Sequence, residues 1–304
     1  MLVDGSNVGH AAAAAPKLSV GEIETHAVLG FLRTLRGACA RFPNLAPVVL
    51  WDGRSWRKDL SSTYKGSRDD KPTTANEEKL AEVRASFKAQ RPLIMKALAT
   101  IGVAQMVAAN LEADDLAGML VTRYAAQGHN ILMVSGDKDW ITLVRPKVGW
   151  MNPVPSNGSH KTVTAMNFEK EMGVKNGRAW LEVKALAGDP SDEIPGVGGI
   201  GEKGAKDLIN AYGSVVDFLN ASITEKKLPK KYQALADDVA KQTIFHNNLK
   251  LMDLQHKEIP APVGLRVVKK PADIEALKAL CRELLFQSIL TDPEMWLEPF
   301  RTAA

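Results

Sequence analysis

Three short apolar runs of this chain each lead into an aspartate, and that pattern constrains the fold more than any other feature of the sequence. Leu2 and Val3 precede Asp4, Val48 to Trp51 precede Asp52, and Ile131 to Val134 lead through Ser135 and Gly136 to Asp137 and Asp139. Short apolar runs separated by helical patterns are the signature of βαβ units, which build a mostly parallel sheet flanked by helices. In open sheets of this kind the ligand crevice lies outside the carboxyl ends of the strands. Parallel strands would therefore deliver these acids to one edge. A single aspartate there is an ordinary turn residue or helix cap, but three on strands of one sheet point to a shared site.

The expected strands cover 1–3, 47–51, 103–107, 130–134 and 147–151. Between them, 20–36 and 111–126 carry apolar residues at helical spacing. Thr74 and Glu77 form a capping box for a helix over 74–90 whose apolar stripe is thin (Leu80, Val83, Phe87). Pro92 is expected to interrupt it, with a second helix over 92–100. A helix with so little to bury is expected to be exposed. Beyond about 175 the pattern turns helical, over 177–187, 202–211, 215–219, 231–248 and 272–285. The expected architecture is α/β, with a mostly parallel central sheet in 1–175 and a helical region in 176–304.

More carboxylates join the three. Glu112, Asp114 and Asp115 crowd the start of one helix, which exceeds the need of a single cap. Asp189 and Asp192 flank the turn at Pro190. Asp4, Asp52, Glu112, Asp114, Asp115, Asp137, Asp139, Asp189 and Asp192 make nine in all. Like charges within a few ångströms disfavour joint ionisation unless a cation compensates. Oxygen-only ligands, with no histidine at ligand spacing, select hard ions such as Mg²⁺ or Mn²⁺. So many acids suit a two-ion site of the kind that cleaves phosphodiesters. The chain has 39 basic and 35 acidic residues. With nine acids confined to one site, 26 remain against 39 bases over the rest of the surface. That balance suits a nucleic-acid partner if the clustering is real.

Other classes are excluded. No apolar run approaches the roughly 18 residues of a membrane span. The N-terminus lacks a basic leader and carries Asp4 too early for a secretion signal, so a cytoplasmic location is expected. Cys39 and Cys281 form no disulfide framework or metal spacing, and are expected to be reduced, buried thiols.

Gly196-Val197-Gly198-Gly199-Ile200-Gly201 matches GxGxxG, yet no strand precedes it, so it fails as a dinucleotide fingerprint. It reads better as the hairpin of a helix–hairpin–helix over about 178–211. The backbone N–H groups at Gly196, Gly198, Gly199 and Gly201, with Lys203 and Lys206, would then clamp a phosphate backbone without reading bases.

With those residues in view, the chain resembles the 5′-nuclease superfamily, which includes flap endonucleases, phage 5′→3′ exonucleases and the 5′-nuclease domain of DNA polymerase I. The matching segments are LVDGSN (2–7), WDG (51–53), YKGSRDDKP (64–72), EADDLA (112–117), SGDKDW (135–140) and LAGDPSDEIPGVGGIGEKGA (186–205). The resemblance implies a PIN-like nuclease fold with a helical arch over about 65–100, and a role for all nine acids. Asp4, Asp52, Glu112 and Asp114, with Asp115 close by, would serve mainly one Mg²⁺. Asp137, Asp139, Asp189 and Asp192 would serve mainly the other, and Mn²⁺ would substitute. It further implies that Lys65 and Arg68 contact the scissile phosphate, that Tyr64 stacks on a base, and that backbone carbonyls such as those of Val197 and Ile200 hold K⁺. The implied activity is hydrolysis of DNA with free 5′ ends, 5′ flaps or branched junctions, by a monomer resembling free-standing phage or bacterial nucleases. The products would be 5′-phosphates and 3′-hydroxyls. Two other readings stand beside it: a catalytically inactive branched-DNA binder, and a PIN-like ribonuclease.

Overall fold

The first strand is buried on both faces and sets the layers of the molecule. Residues 1–66, 72–224 and 228–302 are described by a computed structural model. Strand β1 (Leu2–Asp4) runs into helix α1 (Gly5–Ala13), and a hairpin of β2 (Ser19–Val20) and β3 (Ile23–Glu24) leads to α2 (His26–Arg41). Strand β4 (Val48–Trp51), the short α3 (Arg57–Leu60) and the long α4 (Ala75–Thr100) follow, then β5 (Ala104–Val107), α5 (Ala113–Ala126), β6 (Ile131–Val134), β7 (Val148–Met151) and β8 (Thr162–Val163). The sheet order is β8-β7-β6-β1-β4-β5, closed at its far edge by β9 (Arg266–Val268). Strands β7, β6, β1, β4 and β5 pair in parallel, and β8 and β9 are antiparallel edges.

Successive strand residues point to opposite faces. Leu2, Leu50 and Met133 enter the core under α5 and the later helices, while Val3, Val49 and Val134 enter the core under α1, α2 and α4. Each fully buried side chain of this size stabilises the fold by roughly 1.5–3 kcal/mol. Register places Asp4 beside Leu50 and Val3 beside Val134, so the carboxyl ends of β1, β4 and β6 are level.

The second half is built from α6 (Phe168–Met172), α7 (Gly177–Ala187), α8 (Glu202–Tyr212), α9 (Val215–Ser222), α10 (Lys230–Asp237) and α11 (Val239–Met252). The chain then returns. Strand β9 joins the sheet, and α12 (Ile274–Glu283), α13 (Gln287–Leu290) and α14 (Pro293–Thr302) share the core of α2 and α4. The stretch 176–304, expected as one helical region, thus divides between a helical layer and a segment belonging to the first half. None of the described helices is long and apolar enough to cross a membrane. Cys39 and Cys281 are free and buried.

Three local expectations change. The helix expected over 20–36 begins only at His26 and runs on to Arg41, because Gly21 adopts φ +59° and turns the chain into the β2–β3 hairpin first. The helix expected over 231–248 breaks at Asp238, whose side chain caps α11 through the Ala240 N–H at 2.8 Å. Pro92 does not interrupt α4, which is one helix of 26 residues. A proline there forfeits one backbone hydrogen bond, but Phe87, Ile94, Ala97 and Leu98 are buried and hold both halves in one line. The expected arch over 65–100 is correspondingly shorter. Residues 67–71 lie outside the described residues, 75–85 are largely exposed, and from Ser86 onward α4 is a core helix.

Helix α2 depends on α4 for its cap. Thr25 makes no side-chain cap, and Gln90 Oε1 accepts the Ala27 N–H at 2.8 Å instead. Orphan N–H groups buried at a helix start are costly. Gln90→Leu is therefore expected to destabilise the chain by about 1–3 kcal/mol, read as a lower urea midpoint with an unchanged slope.

Candidate functional site

Asp4 closes β1 and caps α1, accepting the Asn7 N–H at 2.9 Å and the Ser135 hydroxyl at 2.8 Å. The helix leaves the strand here because residue 5 is glycine. A Cβ at Gly5 would stand 2.5 Å from the Trp51 ring and 2.8 Å from the Leu50 carbonyl oxygen. Asn7 Oδ1 accepts the Gly136 N–H at 2.7 Å, and Ser135 Oγ accepts the Asp137 N–H at 2.9 Å. The first and fourth acidic segments are thereby tied together. Asp52 accepts the Ala113 N–H at 2.8 Å, which fixes the start of α5 against β4, and Asp114 accepts the Trp140 indole N–H at 2.7 Å.

These ties converge on two adjoining pockets. The first, about 310 Å³, is lined by Asp4, Asp52, Glu112, Asp114 and Asp137 together with Asn7, His10 and Lys65. Leu80, Val83 and Arg84 reach it from the exposed half of α4. The second, about 380 Å³, shares Asp137 and adds Asp139, Lys184, Asp189 and Glu202. Asp192 adjoins the first pocket through Lys65, whose Nζ lies 3.7 Å from its carboxylate. Among the described residues, no three acids, imidazoles or thiols stand at metal-ligating spacing. Lysine ammonium groups stand among the acids instead. Lys65 donates to Glu112 at 2.8 Å, and Lys184 bridges Asp139 and Asp189, the latter at 3.0 Å.

The charges of the site are unevenly compensated. Burial pushes the Asp4 carboxyl up to about 7, and the charges of Asp52 and Asp137 add to the effect. Burial, then Asp137, raises Asp114 well above the carboxylate range. Burial also opposes ionisation of Glu112 and Asp189, but Lys65 and Arg57 outweigh it for the first and Lys184 for the second, so both fall below their ordinary values. Asp4 and Asp114 are thus acids whose ionisation the fold opposes. An oxygen-only set with two such members fits a hard divalent ion.

Not every expected residue faces a pocket. Asp115 is fully buried, 2.8 Å from Arg57 and bonded to the Glu112 N–H at 3.0 Å. It completes a cap and neutralises a buried guanidinium. Tyr64, expected to stack on a base, is 3% exposed. Its ring packs under Lys65, and its hydroxyl donates between Glu112 and Asp192, 3.3 Å from each. Burial raises that phenol, keeping it a donor, and removes the ring as a stacking surface. Arg68 lies outside the described residues. Lys65 has φ +52° and donates its N–H to the Asp192 carbonyl at 3.2 Å. A left-handed non-glycine costs of order 1–3 kcal/mol and gathers at functional sites.

Arg57, Asn7, Ser135 and Lys184 were not singled out from sequence. Lys184 had a detectable signal, since it lies one helix turn before the Asp189 turn, whereas Arg57 pairs with acids 55 positions away and had none.

The glycine hairpin opens α8 beside the second pocket, where Glu202 borders both. Gly198 and Gly199 have φ of +81° and +78°, and Gly201 begins the helix without a side-chain cap. Lys203 is exposed, while Lys206 pairs with Glu202 at 2.6 Å. The carbonyls of Val197 and Gly198 accept the Lys241 ammonium at 3.0 and 3.3 Å.

Residues 1–173 match the family model of the 5′-3′ exonuclease N-terminal resolvase-like domain, and 176–267 match that of the 5′-3′ exonuclease C-terminal SAM fold. The 5′-3′ exonuclease of Bacillus subtilis (strain 168) is 34% identical over 220 residues, covering 71% of this chain and 70% of that protein. The thermostable DNA polymerase I of Thermus filiformis is 30% identical over 296 residues, which are 95% of this chain but 32% of the polymerase. A bacteriophage T5 flap endonuclease, solved as a pseudo-enzyme–product complex with DNA and metal ions, superposes with a TM-score of 0.65 at 22% identity, over 99% of this chain and 98% of the other. Human GEN1 in complex with Holliday junction DNA superposes at 0.59 with 14% identity, over 95% and 70%. These two likenesses establish the fold.

The raised carboxyls have a consequence for stability. An acid whose folded value lies above its unfolded value holds an extra proton in the folded state, so stability falls as pH rises between the two values. Without divalent ions, the melting temperature is expected to fall between pH 4 and 7, the window set by Asp4. Asp4→Asn keeps the helix cap and removes the charge. It is expected to raise the metal-free melting temperature at pH 8 by a few degrees and to blunt stabilisation by Mg²⁺ or Mn²⁺, both read by thermal scans.

Proposed function

Because this chain belongs to the 5′-3′ exonuclease family, we propose that it is a divalent-metal-dependent 5′-nuclease. It would act on DNA with free 5′ ends, 5′ flaps or branched junctions, as exonuclease and structure-specific endonuclease. The observation that carries this reading is the pair of adjoining acidic pockets that share Asp137 at the carboxyl edge of a parallel sheet. The two family models meeting between 173 and 176 support a catalytic unit over 1–175 with a duplex-holding unit after it.

Asp4, Asp52, Glu112 and Asp114 would hold one Mg²⁺, and Asp137, Asp139 and Asp189 the other; Asp192, expected with the second group, stands with Glu112 beside the first pocket. Two such ions, when bound, supply activation of water and neutralisation of the leaving oxygen in phosphodiester hydrolysis. The chain's own cations do the rest. Lys65 is held at the pocket wall by Glu112 and Asp192. There its ammonium would face the scissile phosphate, where a positioned cation stabilises developing charge. Tyr64 keeps Glu112 and Asp192 at a fixed separation, so its role here is orientation rather than stacking. Arg84, at the pocket from α4, would draw the 5′ strand toward the acids. The hairpin N–H groups and Lys203 would grip the duplex backbone, which fixes position without reading sequence.

The test is cleavage of a labelled 5′-flap duplex and a nicked duplex. Wild type is expected to give 5′-phosphate and 3′-hydroxyl ends in Mg²⁺ and no product in EDTA. Asp137→Ala is expected to lose at least about a hundredfold in rate, the scale of removing one preorganised electrostatic group. Unchanged cleavage in EDTA would refute the mechanism. Tight flap binding with no turnover in Mg²⁺ or Mn²⁺ would identify an inactive branched-DNA binder, and preference for unstructured RNA would identify a PIN-like ribonuclease.

A further inference from the structure

The hairpin of the glycine loop carries its own cation. Lys241, in the first turn of α11, sends its ammonium to the carbonyl oxygens of Val197 at 3.0 Å and Gly198 at 3.3 Å. Seven residues along, two turns away on the same helix face, Asn248 donates to the carbonyls of Ala185 at 2.8 Å and Pro195 at 2.7 Å. Helix α11 thus grips the hairpin at both ends, at the close of α7 and at the turn between the glycines. The residues at the turn are crowded by the lysine, since a Cβ on Gly198 would stand 3.1 Å from its Nζ.

This arrangement does not fit the monovalent metal ion expected at the carbonyls of Val197 and Ile200. A bare ion needs several oxygens converging on one point, and the Val197 carbonyl is turned to an ammonium that brings a full positive charge. An ammonium has three donors and no acceptor, and hydrogen bonds from an ionised donor are stronger than neutral ones. Because it is tethered, it occupies the turn at any salt composition, and the only freedom lost is that of one side chain.

We propose that Lys241 replaces the monovalent cation of the hairpin, so that this chain holds its duplex-binding turn without K⁺. The proposal rests on the preceding reading only where it concerns duplex binding. The occupancy of the turn is a property of the folded chain alone. With two N–H directions spent on Val197 and Gly198, the third points away from them and adds positive charge at the turn where a phosphate backbone would lie.

The experiment has two arms, both at constant ionic strength in K⁺, Na⁺ and tetramethylammonium. The first follows thermal unfolding of the full chain without DNA. Wild type is expected to melt at one temperature in all three, while Lys241→Met melts lower in tetramethylammonium and regains stability in K⁺. The second follows duplex binding by anisotropy in EDTA. Wild-type affinity is expected to vary less than about twofold, and Lys241→Met to bind about tenfold more weakly in tetramethylammonium with recovery in K⁺. A K⁺-specific rise in wild-type melting temperature, or Lys241→Met matching wild type in every cation, overturns the proposal. The wild-type series needs no variant to fold, and Lys241→Gln, which keeps a donor without charge, separates charge from packing. Absence of duplex binding in all conditions would count against the duplex-holding role and leave the first arm decisive for the cation.

Discussion

Repulsion between buried carboxylates is the constraint around which this molecule is organised. Parallel strands place Asp4, Asp52 and Asp137 at one level, and α5 adds Glu112 and Asp114. Folding must bring these groups out of water and close together, and both changes oppose ionisation. The chain answers with cations of its own. Arg57, 1% exposed, pairs with Glu112 and Asp115, Lys65 with Glu112, and Lys184 with Asp139 and Asp189. Asp4 and Asp114 are left with raised proton affinities. The site is therefore divided between acids that the protein neutralises itself and acids whose charge it leaves disfavoured. Much of the surrounding structure serves to hold that division. The Asn7–Gly136 and Ser135–Asp4 hydrogen bonds lock β1 to the loop after β6, and the Asp52–Ala113 bond locks β4 to α5.

The sheet and the acids were legible in the sequence because each rests on a local signal. An apolar run ending in aspartate shows both a strand and the end of it that matters. The five expected parallel strands appear within one residue of their places, and the helix over 177–187 appears as drawn. What was illegible depends on partners distant in sequence. Gln90 capping α2, Arg57 reaching acids 55 residues on, and Lys241 bonding a turn 44 residues earlier leave no periodic trace. Tyr64 shows the same limit from the other side. Its residue type suggested a stacking surface, but only the packing of Lys65, Glu112 and Asp192 around it shows that the ring is enclosed.

Helix α4 illustrates how one element serves two roles. Its first three turns bury little and lean over the acidic pocket through Leu80, Val83 and Arg84. Its remainder is a core helix, with Ile94, Ala97 and Leu98 fully enclosed. Pro92 is tolerated because the burial on either side of it exceeds the single hydrogen bond it forfeits. The rigid half fixes the direction in which the exposed half projects, so a segment near the site is aimed by packing that lies far from it.

The return of the chain after residue 260 bears on the order in which this protein can mature as it is made. Strand β5 pairs on its outer side with β9, from Arg266–Val268, and α2 and α4 are covered by α12 and α14. A nascent chain that has emerged only as far as the helical layer therefore holds a sheet with an unprotected margin and two helices with bare apolar sides. Such open margins template pairing with other chains. The ribosome must deliver residues 266–302 before the earliest-made strands are sealed, which links the integrity of the acidic edge to a segment made long after it.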